Sequence, residues 1–235
     1  MYKALLQAEF LKIKRKWIWG LVFLGPFGVI TLQAVNFGIR YDYLTDLYKD
    51  DLWDGLLKNI SSLSVFALMF GATLLASLIS SLEHQSTSWK HLLALPLSKT
   101  KIFIGKFALV FILLTVSCIL LAIGSIILGI SLNYGNDIPL VNLLKTCFYP
   151  YLASLPIVAL QLWLSVVFNN QALPLFIGIV GSIFGSALPR WTIWSWPSLS
   201  NQWDKPIINV CLGIIVGLIL LWISTIHFTR KDVNS

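Results

Sequence analysis

The residues whose types could bind a metal ion are two histidines and a group of aspartates. His84 and His91 lie seven residues apart, which is two turns of a helix, and no third ligand lies nearby. The aspartates are spaced DxxxDxxxDD, which is not the spacing of a calcium-binding loop, so they indicate a solvated acidic face. These are Asp42, Asp46, Asp50, Asp51 and Asp54. We therefore predict no metal site in this chain.

Motifs that carry enzymatic chemistry are missing from the sequence. It contains no HExxH, no GxSxG and no phosphate-binding GxxxxGK[ST] motif. Polar residues within the apolar segments, such as Gln161 and Asn169, do not form a credible catalytic set even together with the histidines. We predict that the chain is not an enzyme and that, if energy is used, another chain supplies it.

The composition is that of an integral membrane protein. Of 235 residues, 57% are hydrophobic and 11% are charged, and the mean hydropathy is +0.81. A soluble domain carries about 25% charged residues. In a soluble chain a net charge of +7 would suggest nucleic acid as a partner, but here it reflects which loops stay inside, so no nucleic-acid partner is predicted. Cys118, Cys147 and Cys211 show no metal or redox spacing and are interpreted as packing residues.

Six apolar runs are long enough, or nearly so, to cross a bilayer, which takes about twenty apolar residues. The fourth and fifth are separated only by Asn169–Ala172 and contain Pro156 and Pro174, so a broken or re-entrant hairpin is the alternative to two full spans. No run carries an acidic or basic residue near its centre, which argues against an ion-coupled transporter. The predicted spans of this all-α, polytopic fold are Trp17–Asn36, Ile60–Leu82, Ile102–Leu132, Tyr151–Phe168, Leu173–Leu188 and Ile207–Phe228.

The distribution of charge predicts the orientation in the cell membrane. Six spans place both termini on one side, together with the 83–106 loop and the short 169–172 loop. That side carries three acidic residues, Glu9, Glu83 and Asp232. Its basic residues are more numerous: Lys3, Lys12, Lys14, Arg15, Lys16, Lys90, Lys99, Lys101, Lys106, Arg230 and Lys231. The opposite side is close to neutral. Because basic loops stay in the cytoplasm, we predict that both termini are cytoplasmic in the plasma membrane.

The basic loop Glu83–Lys106 contains a short amphipathic segment. Trp89, Leu92, Leu93 and Pro96 share one helical face, whereas Lys90 points elsewhere. Ser86 or Ser88 is suited to cap such a helix and proline to stop it. The apolar face predicts a contact either with the membrane surface or with a protein.

The N-terminal segment Tyr2–Lys16 predicts a second amphipathic helix. Its apolar arc includes Leu6, Phe10 and Ile13, and its lysines would face anionic lipid at the inner membrane surface. Glu9 intrudes on the apolar arc. It is expected either to meet a protein partner or to pair with Lys12 or Lys16 of its own helix.

Two outer loops carry aromatic residues. Phe37–Asn59 predicts a small amphipathic helix on the outer surface, with Leu44 and Trp53 on the bilayer or at a lateral opening. In the last outer loop, Trp191, Trp194 and Trp196 are typical of an aromatic belt at the membrane interface, and contact with an amphiphilic cargo is the alternative.

Small residues recur four positions apart within the apolar runs, which permits helices to approach closely. The pairs are Ala72 and Ala76, Ser77 and Ser81, Gly181 and Gly185, and Gly213 and Gly217. The spacing predicts packing without identifying a partner.

Two stretches resemble the permease subunits of ABC-2 type exporters, and within them the short permeases of the lantibiotic and bacitracin self-immunity group. The first is AEFLKIKRKW at the N-terminus. The second is Glu83-His84 followed by Trp89-Lys90, Leu92-Leu93, Leu95-Pro96-Leu97-Ser98 and the lysines up to Lys106. The resemblance implies a single transmembrane domain over 1–235, with an elbow helix at 1–16 and a cytoplasmic coupling loop at 83–101.

By this resemblance, Ser88–Leu95 would be a coupling helix that docks on a dimer of cytoplasmic ABC ATPase subunits. The residues expected at that contact are Glu9, Glu83, His84, Trp89, Lys90, Leu92, Leu93 and Pro96. ATP and magnesium would be bound by the ATPase and none by this chain, which would pair with a second, identical or paralogous permease. The cargo would be an antimicrobial peptide or another amphiphile. A membrane anchor or sensor subunit without transport activity is the alternative.

Overall fold

The computed structural model describes residues 2–14, 16–85, 98–135, 137–201 and 205–230. Within these ranges the chain is helical and contains no strand, in agreement with the predicted all-α class. The helices are α1 (Tyr2–Ile13), α2 (Ile18–Ile39), α3 (Tyr41–Leu47), α4 (Leu52–Gln85), α5 (Lys99–Ser131), α6 (Leu140–Ala153), α7 (Leu155–Val167), α8 (Ala172–Phe184) and α9 (Pro206–Arg230). Two 3-10 turns follow α8, at Gly185–Ala187 and Trp196–Ser198.

The long helix α4 lies at the centre of the bundle and packs against α2, α5, α6, α7 and α8. It begins at Leu52, eight residues before the apolar run that predicted it. The Asp51 carboxylate accepts a hydrogen bond of 2.9 Å from the Asp54 amide, which satisfies a free donor of the first turn. The predicted outer-surface segment is therefore divided between α3 and the start of α4.

Two buried clusters form the core, one toward each end of the bundle. The cluster at the end that holds α1, here called the α1 end, joins Ile13, Ala76, Phe103 and Phe228 with other apolar residues. The cluster at the opposite end, here called the α3 end, includes Leu44 and Trp53. Both of these side chains are buried in the protein, which corrects the prediction that they lie on the bilayer or at a lateral opening.

Trp53 connects α4 to α5 and to the turn after α5 at the α3 end, because both its ring and its indole N–H make contacts there. Its ring lies against Gly129 of α5, where a side chain would collide with it. The indole Nε1–H donates a hydrogen bond of 3.1 Å to the Tyr134 carbonyl. Burial removes water from the Tyr134 phenol and raises its pKa above the ordinary value. The start of α4 is thereby fixed to the turn that follows α5.

The fourth predicted span is a pair of helices, α6 and α7, that meet at Ser154 with a bend of 42°. Pro150 and Pro156 flank the break and remove backbone donors there. The Ser154 hydroxyl donates 2.7 Å to the Tyr151 carbonyl. The pair begins at Leu140, well before the predicted Tyr151, because Asn142 and Lys145 make the first turns of α6 too polar to be counted with the apolar run.

Helix α9 packs on this break through two glycines. A Cβ atom at Gly213 would lie 2.5 Å from the Ala153 Cα atom, and one at Gly217 would lie 2.8 Å from the Leu155 Cβ atom. Both distances are shorter than a real contact. The Gly213 and Gly217 pair thus permits the close approach that its spacing predicted.

The described helices include four that are long and apolar enough to cross a membrane, namely α2, α4, α5 and α9. The bent pair α6 and α7 adds a fifth. The fifth predicted run corresponds to α8, a helix of 13 residues that the 3-10 turn at Gly185–Ala187 extends. This is short of the roughly twenty residues that a span requires, so six spans remain a prediction.

The packing of α9 on the break gives a first testable prediction. Gly213→Ala adds a Cβ atom that must displace the backbone at Ala153, so we expect the free energy of unfolding to fall by about 1–3 kcal/mol. Gly28→Ala in α2 is the matched control, because a Cβ atom there has nothing within 4 Å. Denaturant titrations in mixed micelles compare the two variants. Equal unfolding midpoints would contradict the close packing of α9 on the break.

Candidate functional site

The α1 end of the bundle contains a buried group of charged side chains. Helix α1 packs against α5 with Phe10 and Ile13 directed toward the bundle, and the Phe10 and Trp19 rings stack with centroids 6.4 Å apart. Glu9 lies on this same inner face and is 2% exposed. Leu11, on the opposite side of α1, is 68% exposed. The acidic residue that interrupts the apolar arc therefore faces the protein.

Glu9 lies between two lysines. One carboxylate oxygen is 2.6 Å from Lys12 Nζ, within α1. The other is 3.6 Å from Lys106 Nζ, which α5 contributes. The Lys106 side chain is 1% exposed and the Lys12 side chain 33%. Of the alternatives that the sequence left open, the structure shows the pairing with Lys12 and adds an intramolecular ion pair with Lys106.

Three of the residues predicted to contact an ATPase, Glu9, Glu83 and His84, lie in described helices. Helix α4 ends at Gln85, so Glu83 and His84 lie in its last turn, and α5 begins at Lys99 after Ser98. The remaining predicted contact residues, Trp89, Lys90, Leu92, Leu93 and Pro96, lie outside the described residues. The structure thus shows where this loop leaves and re-enters the bundle.

Aromatic contacts tie the end of α9 to its neighbours at this end. Trp163 Nε1–H of α7 donates a hydrogen bond of 3.2 Å to His227 Nδ1, and the two rings meet edge to face at 5.4 Å. Phe228 packs on Phe103 of α5 with ring centroids 5.8 Å apart. His227, which stands alone in the sequence, has a structural partner in α7.

A polar seam connects α4 with the turn between α7 and α8. Ser77 donates 3.1 Å to the Gln171 Oε1 atom, and Gln171 Nε2 donates to the carbonyls of Ser165 and Phe168 at 2.9 Å each. These carbonyls belong to the C-terminal end of α7, where helical acceptors lack partners. Gln161, fully buried in α7, donates 2.6 Å to the Pro174 carbonyl. Sequence reasoning assigned no role to Gln171, and its place between two proline-containing apolar runs was the available signal.

Helix α8 runs antiparallel to α4. Gln171 contacts Ser77, Gly178 lies against Thr73 and Gly185 lies near Met69, so the contacts progress in opposite directions along the two chains. Gly178 leaves room for the Thr73 side chain in this contact. The seam therefore joins α4, which leads into the 86–97 segment, directly to the α7 and α8 hairpin.

The three tryptophans predicted to contact cargo differ in how much of each side chain is exposed. Trp191 is 79% exposed, whereas Trp196 is 8% exposed within the turn that packs against α6, α9 and α4. The Trp196 carbonyl accepts 3.2 Å from Asn209 Nδ2. Trp194 is half-buried, with its indole against Gly181 and its carbonyl against Gly185, so this glycine pair leaves space for Trp194. Trp191 alone of the three presents most of its surface.

A small cavity of about 40 Å³ lies among α2, α4, α5 and α6. Its lining is mostly apolar and includes Pro26, Ser64, Ser117, Cys118 and Cys147. Among the described residues, no group of three or more His, Cys, Asp or Glu side chains is arranged to hold a metal ion.

The different burial of the tryptophans gives a second prediction. Trp196→Ala removes a buried ring and should lower the free energy of unfolding by about 3 kcal/mol or more. Trp191→Ala, at the exposed position in the same loop, should leave it nearly unchanged. Thermal unfolding in detergent measures both. A larger loss for Trp191→Ala than for Trp196→Ala would show that the loop is packed differently.

Comparison with known proteins places the chain in one family. Residues 5–185 match the family model described as "ABC-2 family transporter protein". The match includes α1 to α8 almost completely, and with them the Glu9 and Lys106 pair and the polar seam. No curated protein and no solved structure gives a significant match.

Proposed function

Since the chain belongs to the ABC-2 family of transporter proteins, we propose that it is the membrane-spanning permease subunit of an ATP-driven exporter. The family match over residues 5–185 is the observation that carries this proposal. The apolar helices agree with it, because they make the chain a multi-pass membrane protein. A separate ABC ATPase would hydrolyse ATP, since the sequence has no phosphate-binding motif of its own.

The α1 end is the proposed cytoplasmic side, where the ATPase would dock. The structure groups Lys12, Lys14, Lys16, Lys99, Lys101 and Arg230 toward this end, whereas Asp42, Asp46, Asp51 and Asp54 lie toward the α3 end. Because basic segments are retained in the cytoplasm, this arrangement supports cytoplasmic termini. It also supports a position of the 86–97 segment on the side where ATP is available.

In this proposal the 86–97 segment transmits ATPase movement to the bundle. It connects α4, the central helix, with α5, which packs on α1, α2, α6 and α9. A rigid-body displacement at this connection would therefore reach most helices of the chain. The Trp89, Leu92 and Leu93 face supplies the apolar surface for docking, and the resemblance to the coupling helix of ABC-2 exporters supports the same assignment.

Two ATPase subunits would act on two permease chains, the second being identical or paralogous. The proposed cargo is an antimicrobial peptide or another amphiphile, as in the self-immunity permeases that the two stretches resemble. The group of aspartates in α3 and at the start of α4 would favour a cationic peptide. Of the three tryptophans predicted for this contact, the exposed Trp191 is the one suited to meet a cargo directly.

The ATPase contact is tested by co-purification. We expect an ABC ATPase, identified by mass spectrometry, to purify with the tagged wild-type protein in mild detergent. Trp89→Ala/Leu93→Ala should reduce its recovery at least tenfold, because it removes most of the proposed docking face. Trp191→Ala, in the loop between α8 and α9, is the control and should retain the ATPase. If a correctly inserted wild-type protein retains no ATPase, the anchor or sensor alternative becomes the better account.

The cargo contact is tested separately in cells. If Trp191 binds an amphiphilic peptide, Trp191→Ser should lower the peptide concentration that the cells tolerate by several fold, while the ATPase still co-purifies. Leu140→Ser, at another exposed apolar position, serves as the matched control. Unchanged tolerance in Trp191→Ser cells would remove Trp191 from the cargo site.

A further inference from the structure

The pair formed by Glu9 and Lys106 is unusual because both charges are almost completely buried. Their side chains are 3% and 1% exposed. The neighbouring core is apolar and includes Ile13, Ile102 and Phe103. Transfer of two charged groups from water into such a place is costly unless each finds an opposite charge. Lys12 supplies Glu9 with one opposite charge from its own helix, and Lys106 supplies a second from α5.

The Glu9 carboxylate is also oriented within its own helix. Lys12 holds one carboxylate oxygen at 2.6 Å, which leaves the second oxygen directed toward Lys106 at 3.6 Å. Phe10 and Ile13 flank Glu9 and pack into the same core. Helix α1 is thus attached to α5 by a charged contact that is enclosed by apolar contacts.

Lys106 lies on the helix that continues directly from the proposed ATPase-binding segment. Helix α5 begins at Lys99, and Ser98 precedes it in an extended conformation. Lys106 is eight residues beyond Ser98, which corresponds to about 12 Å along the helix axis. No proline or bend interrupts α5 between these positions. A displacement of the 86–97 segment would reach Lys106 through continuous helix.

We infer that the Glu9–Lys106 pair makes α1 move together with the start of α5 when the ATPase displaces the 86–97 segment. This inference rests on the proposed function. Glu9 is then a positioning residue that faces the bundle and links α1 to α5 within the permease. The pair transfers the displacement from α5 to the helix that leads into α2.

Distances between paired spin labels on the complete permease–ATPase complex test this inference. The native cysteines are replaced, and labels are placed at Leu11 on α1 or at Ser98 before α5, each with a reference label at Tyr43 on α3. All three positions are exposed. Each distance is measured without nucleotide and with ATP trapped on the ATPase.

In the otherwise native protein, we expect ATP to shift both distances in the same sense by about 2 Å or more. In Lys106→Met and in Glu9→Gln, the shift at Ser98 should persist while the shift at Leu11 is lost. The combined charge reversal Glu9→Lys/Lys12→Glu/Lys106→Glu should restore the shift at Leu11, because opposite charges again face each other within α1 and between α1 and α5. A purely structural role would not separate the two labels in this way.

If Leu11 follows Ser98 in Lys106→Met as it does in the native protein, the apolar contacts alone couple the helices and the inference is wrong. If Ser98 shifts and Leu11 does not in the native protein, the inference is also wrong, while the permease function stands. If no ATPase is present in the purified complex, the proposed function fails and this inference fails with it.

Discussion

A chain that lies in a membrane must satisfy its backbone hydrogen-bonding groups without water, and this constraint shapes the bundle. Uninterrupted helices such as α5 meet it by themselves. The α6 and α7 pair is interrupted at Ser154, where the amide hydrogen bonds to the Pro150 and Tyr151 carbonyls and the hydroxyl bonds to Tyr151. Gln171 similarly donates hydrogen bonds to two carbonyls at the end of α7. Each interruption is thus matched by a polar group placed beside it.

Close packing follows from where these interruptions lie. The bend at Ser154 brings the backbone of Ala153 against α9, and only glycine at Gly213 leaves enough space for it. Gly181 and Gly185 have a different role, since they leave space for the indole and the carbonyl of Trp194. The same spacing of small residues therefore supports helix-to-helix contact in one place and loop-to-helix contact in another.

Much of the fold could be predicted from hydropathy, because α2, α4, α5 and α9 are long apolar runs. The start of α6 could not, because Lys145 and Asn142 make that segment resemble a loop, although tertiary packing keeps it helical. Sequence alone also could not rank the outer tryptophans, since Trp191 and Trp196 differ in burial but not in local pattern.

The candidate site was partly visible in the sequence. Glu9 was recognisable because a carboxylate on an apolar arc requires a partner, but spacing could indicate only partners within the same helix. In the sequence, Lys106 is one of several basic residues that indicate the orientation in the membrane. Its pairing with Glu9 depends on how α1 folds back on α5, which is a tertiary contact that local patterns do not specify.

These contacts connect the α1 end to most helices of the bundle. The central helix α4 precedes the 86–97 segment and α5 follows it. The ion pair between Lys106 and Glu9 connects α5 to α1. The hydrogen bonds of the polar seam, through Ser77 and Gln171, connect α4 to α7 and α8. A partner that acts on one short segment would therefore influence both sides of the bundle.

The central claim, that an ATPase acts on the 86–97 segment, is tested most directly by photo-crosslinking in intact cells. A photoreactive amino acid replaces Leu92, or replaces the exposed Trp191 between α8 and α9 as the control. We predict a covalent adduct between the Leu92 variant and an ABC ATPase, and none for the Trp191 variant. A well-inserted protein that gives no ATPase adduct at Leu92, or equal adducts at both positions, would contradict the account.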